Sequence, residues 1–75
     1  MKEKLIALLE DIRPDVEFEN EKKLIDDGVL DSFDIISIVQ AIGATFDVEI
    51  DVEDLEPSNF NSYEAMIELI RKCKA

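Results

Sequence analysis

Apolar residues recur at helical spacing in three separate stretches of this chain. In the first, Leu5, Leu8, Leu9 and Ile12 follow the i, i+3, i+4, i+7 rule, and Ile6 widens the stripe. This predicts a helix over residues 2–12, closed by Pro14, because the residue before a proline is pushed out of helical geometry. The second stretch carries Ile35, Ile38, Val39, Ile42 and Phe46 on one face. A strand fails there, since strict alternation is absent and the run is too long. The predicted helix begins near Ser32 and ends between Thr45 and Asp47. Its β-branched residues have low intrinsic propensity and Gly43 costs about 1 kcal/mol, so tertiary packing must supply its stability. The third runs over 63–73 behind a Ser62 cap, with Tyr63, Met66, Ile67, Ile70 and Cys73 as its buried stripe. Arg71, Lys72 and Lys74 suit the negative end of its dipole.

Between these helices lie two connections. Residues 14–31 form a long one, but Val16, Phe18, Leu24, Ile25, Val29 and Leu30 can pin it onto a core, which predicts an ordered segment. Gly28 after Asp26 and Asp27 predicts a tight turn. In "VEIDVEDLEPSNF", Asp51 and Asp54 resemble a capping arrangement and Pro57 forbids a long helix. One short helix over 52–56 is expected, then a turn carrying Phe60 inward. The predicted fold is therefore all-α: a small four-helix bundle, three main helices plus one short, with a long loop between helices one and two.

A chain of 75 residues, 47% apolar, has room for one small domain with a real core, spanning 1–75. Nineteen acids against eight bases leave a net charge of −11. Nucleic acid and anionic membrane surfaces, which demand cationic contacts, are not expected partners; basic protein surfaces are. Cys73 is the lone cysteine, which argues for a reducing, cytoplasmic setting and for an apolar filler at a helix end. The opening "MKEKLIALLEDIRP" does not read as a signal peptide, and no run approaches the roughly 20 apolar residues of a membrane span. A monomer is expected.

Chemistry centres on "GVLDSFDIIS", residues 28–37. Ser32 follows an acid in a chain with no histidine, so a Ser-His-Asp triad is excluded. The lysines lie near the termini or at 21–23, out of place for a Ser-Lys pair. No His or Cys cluster and no calcium-loop spacing is present, so no metal site is expected. One reading makes Ser32 a helix N-cap in a small acidic protein-interaction module; Asp31 could equally serve as that cap. Phosphorylation of Ser32 is a further reading.

"LDSFD", Leu30 to Asp34, heads a helix after a long anchored loop, nearly midway along the chain. This layout resembles the acyl and aminoacyl carrier proteins, whose motif is Asp-Ser-Leu or Asp-Ser-Phe. The resemblance covers nearly the whole chain: helix one, the loop with "LIDDGVLDS", helix two with "FDVEI" at its exit, the short helix and the final helix fall in family order. It implies a carrier rather than an enzyme. Ser32 would bear a covalent 4′-phosphopantetheine arm, installed by a phosphopantetheinyl transferase, and Asp31 would be the adjoining motif acid that helps position the transferase. The cargo would ride as a thioester. Phe33 departs from the more general leucine and matches the form seen in D-alanyl carrier proteins and some stand-alone biosynthetic carriers.

The exposed face of helix two reads Phe33, Ile36, Ser37, Gln40, Gly43 and Ala44, with only Asp34 acidic nearby. The family's fatty-acid carriers show several acids there, so an adenylating acyl or aminoacyl ligase is the expected partner. At 100° per residue Phe33 and Ile36 fall on the flank beside Ser32, away from the core stripe. Phe33, Asp34, Ile36 and Gln40 are the expected partner-binding residues.

Overall fold

A computed structural model describes residues 1–74. It contains α1 (Lys2–Ile12), α2 (Ser32–Phe46) and α3 (Tyr63–Lys74), with two 3-10 turns, Val52–Asp54 and Pro57–Asn59, before α3. The three main helices agree with the periodicity to within a residue. The fourth element does not. Where a short α-helix was expected over 52–56, the chain makes a three-residue 3-10 turn, and Pro57 opens a second one. Asp51 is the N-cap of the first turn but its side chain caps nothing. The Asp54 carboxylate instead accepts from Lys72 Nζ at 2.9 Å, and its carbonyl accepts from Asn59 Nδ2 at 2.8 Å. These longer-range bonds replace the local capping pattern.

The helices close around one apolar cluster. Leu5, Ile6 and Leu9 of α1 meet Ile38, Ile42 and Phe46 of α2 and Met66, Leu69 and Ile70 of α3. Leu69 was absent from the expected stripe. Its neighbours Tyr63, Ile67 and Cys73 are only half-buried, so the buried face of α3 is rotated toward Leu69. On α2, Ile35 and Val39 are likewise half-buried at the margin of the core. The predicted loop anchors are in place: Val16, Phe18, Leu24 and Leu30 are buried, with Ile25 and Val29 packed against them. At roughly 1.5–3 kcal/mol per buried large side chain, these four anchor residues 13–31 to the core.

Polar bonds fix the same loop. The Leu24 amide donates to the Asn61 carbonyl at 2.9 Å, and the Asn61 side-chain oxygen accepts from the amides of Ile25 (2.9 Å) and Asp26 (3.1 Å). Gly28 makes the predicted tight turn at φ +73°, where a side chain would be strained. Gly43 has a different reason. A Cβ there would lie 3.2 Å from the Val48 carbonyl oxygen, because the chain leaving α2 through left-handed Asp47 doubles back over it. Ser62 Oγ accepts from the Ala65 amide at 3.1 Å, the expected cap of α3. Lys74 Nζ donates to the Phe46 carbonyl at 3.1 Å and so joins the ends of α3 and α2. No helix among the described residues is long and apolar enough to cross a membrane.

The charge imbalance predicts a response to salt and pH. Screening contracts electrostatic range to about 10 Å at 0.1 M and further above it. The thermal midpoint should therefore rise between 10 mM and 0.5 M NaCl. Each 1 kcal/mol of relieved repulsion corresponds to about 4–8 °C in a domain of this size. Screened surface pairs such as Arg71–Glu68 offset little, at about 0–1 kcal/mol each. Lowering the pH from 7 toward 5 should raise the midpoint too, because the net negative charge falls. Asp15 sets the opposite limit. Hydrogen bonds from Arg13 hold its carboxyl below the ordinary carboxylate range. That pair's contribution is complete above the unfolded pKa and is lost as pH falls through the lowered one. A midpoint flat in salt, or falling steadily from pH 7, would contradict this account.

Candidate functional site

Ser32 is the first residue of α2 and is exposed. It is not the N-cap. That role belongs to Asp31, whose backbone is extended (φ −113°, ψ −173°) and whose Oδ1 accepts from the Asp34 amide at 3.0 Å. Asp34 replies: its Oδ2 accepts from the Asp31 amide at 3.2 Å. The two acids thus form a reciprocal capping box, with aspartate in the place where glutamate or glutamine is usual. Having taken the cap, Asp31 leaves the Ser32 hydroxyl outside the capping bonds. The reading of Ser32 as only an N-cap is corrected by this geometry.

Asp34 is also not the free surface acid expected of a partner contact. Its side chain is 16% exposed and lies 2.7 Å from Arg13 Nη1. Arg13 ends α1, and its guanidinium also reaches the Val29 carbonyl (3.2 Å) and both Asp15 oxygens (3.1 and 3.0 Å). Hydrogen bonding to Asp15, then the charges of Asp15 and Asp34, push the Arg13 pKa up, so it is cationic throughout the working range. Arg13 was not a candidate in the sequence. Its neighbour Asp15 was a visible partner, but nothing local connects it to a helix that starts nineteen positions on.

The apolar flank is where the helical wheel put it. Phe33 is 80% exposed and Ile36 52%, and Gln40 is exposed as well. Ser32, Ile35, Ile36 and Leu55 line a shallow depression of about 260 Å³. Leu55 is the residue that sequence reading missed. It follows the first 3-10 turn and is partly exposed. Its one sequence signal is the nearby Pro57, which stops the turn from becoming a helix and burying the leucine. The site therefore combines an exposed primary hydroxyl at a helix N-terminus with apolar surface alongside.

Arg13 is engaged, and Cys73 is half-buried at the far end of α3. Burial, then the charge of Asp54, pushes the Cys73 thiol up, which disfavours the thiolate. Among the described residues, no group of His, Cys, Asp and Glu is arranged to hold a metal. Comparison with known proteins finds no matching family model, no matching curated protein and no matching solved structure.

Proposed function

We propose that the chain is an acyl or aminoacyl carrier protein in which Ser32 bears a 4′-phosphopantetheine arm. One observation carries this reading: Asp31 takes the cap, so Ser32 stands exposed at the head of α2 with its hydroxyl outside the capping bonds. A serine kept for capping would be bonded to the helix amides. A serine kept for chemistry in this chain would need a base beside it. An attachment point needs neither, because the modifying enzyme brings the base.

The residues present fit the group. The Ser32 oxygen would displace 3′,5′-ADP from coenzyme A, forming the serine–phosphorus bond as the pyrophosphate bond breaks, with the hydroxyl proton leaving to the transferase. The phosphodiester would then sit at the helix N-terminus, where the helix dipole favours an anion. Ile35, Ile36 and Leu55 offer apolar cover next to it. When bound, the arm supplies a thiol that holds the cargo as a thioester. The chain's own part is presentation: a rigid helix head, an apolar docking flank at Phe33 and Ile36 with Gln40 further along it, and surrounding acids that steer a basic partner. The partners this reading requires are a phosphopantetheinyl transferase and an adenylating acyl or aminoacyl ligase. The paired 3-10 turns before α3 would take the place of the short helix of the family's four-helix bundle, and residues 13–31 that of its long first loop.

Incubation with a broad-specificity phosphopantetheinyl transferase and coenzyme A should add about 340 Da at one residue. Ser32→Ala should remain folded and gain nothing. Phosphorylation would instead add about 80 Da. An unmodified wild-type protein, or a mass gain that persists in Ser32→Ala, would overturn the assignment.

A further inference from the structure

The bond network around Asp34 gives Arg13 a part in the site. We propose that Arg13 is the positioning residue for Ser32: from the end of α1 it holds Asp34, and through Asp34 the Asp31–Ser32 backbone, in the geometry that presents the hydroxyl. The half of this that concerns modification rests on the carrier reading above.

The geometry is a chain of shared atoms. The Arg13 backbone is anchored, its amide donating to the Leu9 carbonyl at 2.9 Å as α1 ends. Its guanidinium is oriented by a two-pronged grip on Asp15, with Nε on Oδ1 and Nη2 on Oδ2. A planar fork held at two points has its third direction settled, and Nη1 points at Asp34 Oδ2. That oxygen is the one that accepts the Asp31 amide and closes the capping box. The same Nη1 holds the Val29 carbonyl, three residues before Ser32. One side chain thus fixes the loop just before the serine and the helix turn just after it.

Charge explains why a cation is needed there. Asp31 and Asp34 face each other across the box, and the Asp34 carboxylate is largely enclosed. Without Arg13, Asp34 would be an enclosed anion beside a second anion, and swinging out to solvent would relieve it. That swing breaks the bond to the Asp31 amide and frees the residue before Ser32. A phosphodiester on Ser32 would add negative charge to the same turn, and Arg13 neutralises one of the two carboxylates that oppose it.

The test compares wild type, Arg13→Gln and Arg13→Lys. Two readings are made: site-resolved amide exchange, and kcat/KM with a broad-specificity phosphopantetheinyl transferase and coenzyme A. In Arg13→Gln the amides of Asp31 and Asp34 should exchange about tenfold faster while those of Ile42 and Ile70 hold their protection. Modification should fall about five- to tenfold, chiefly in kcat, because docking surfaces are untouched and only the hydroxyl's placement is lost. Arg13→Lys restores the charge without the fork and should recover part of both effects. Uniformly faster exchange across the chain would reduce Arg13 to a general stabiliser and overturn the proposal. So would unchanged exchange at Asp31 and Asp34 in Arg13→Gln, or, where wild type is modified, an unchanged kcat in Arg13→Gln. Should wild type take no arm at all, the carrier reading fails instead, and Arg13's hold on the Ser32 turn is judged by exchange alone.

Discussion

Phe60→Ala is expected to remove roughly 3–5 kcal/mol of stability, the usual loss for a buried phenylalanine. Phe60 is fully buried and stands at the join of two elements. Its amide closes the second 3-10 turn on the Pro57 carbonyl at 3.0 Å, and three residues later α3 begins. Its ring therefore both fills the core and fixes where α3 enters it. A domain of this size lies toward the lower end of the ~5–15 kcal/mol stability range, so such a loss should leave a substantial unfolded fraction at 25 °C. Urea denaturation followed by helical circular dichroism measures it. A change under about 1 kcal/mol would mean that the ring is not a packed anchor.

Phe33→Ala and Ile36→Ala should show the reverse profile. Both are large, apolar and exposed, and Ile36 walls the depression beside Ser32. Their removal exposes no core, so melting should shift by no more than the equivalent of about 0.5 kcal/mol for Phe33 and somewhat more for half-exposed Ile36. If the flank docks the transferase or ligase, truncating an apolar anchor should weaken the productive complex by about 1–2 kcal/mol. That is a five- to thirtyfold fall in kcat/KM for modification or loading. The fall should appear in KM, unlike that of the Arg13 variants, which acts on the hydroxyl's placement. A variant that melts as wild type and is modified at the wild-type rate would remove that residue from the docking surface. A stability loss above about 2 kcal/mol would mark it as core.

The three helices were legible in the sequence because amphipathic periodicity is local: four or five apolar residues on one face commit an eleven-residue segment whatever it packs against. The loop anchors were legible for a related reason, since Val16, Phe18, Leu24 and Leu30 recur along one connection and bury most of their surface by turning inward together. The exposure of Phe33 and Ile36 followed from the same helical angle that buried Ile38 and Ile42. Three features lay beyond that reach. The choice of Asp31 over Ser32 as cap turned on which side chain Asp34 could answer, and Asp34 was held in place by an arginine 21 residues away. The short helix expected over 52–56 became a 3-10 turn cut short by Pro57, with Asp54 turned to Lys72 and Asn59 in place of a local cap. Leu55 reached the Ser32 depression only once that turn had been set against α3. Propensity and periodicity act within a segment, whereas each of these outcomes is a contact between segments, and its partner exists only after the core has brought the helix ends together.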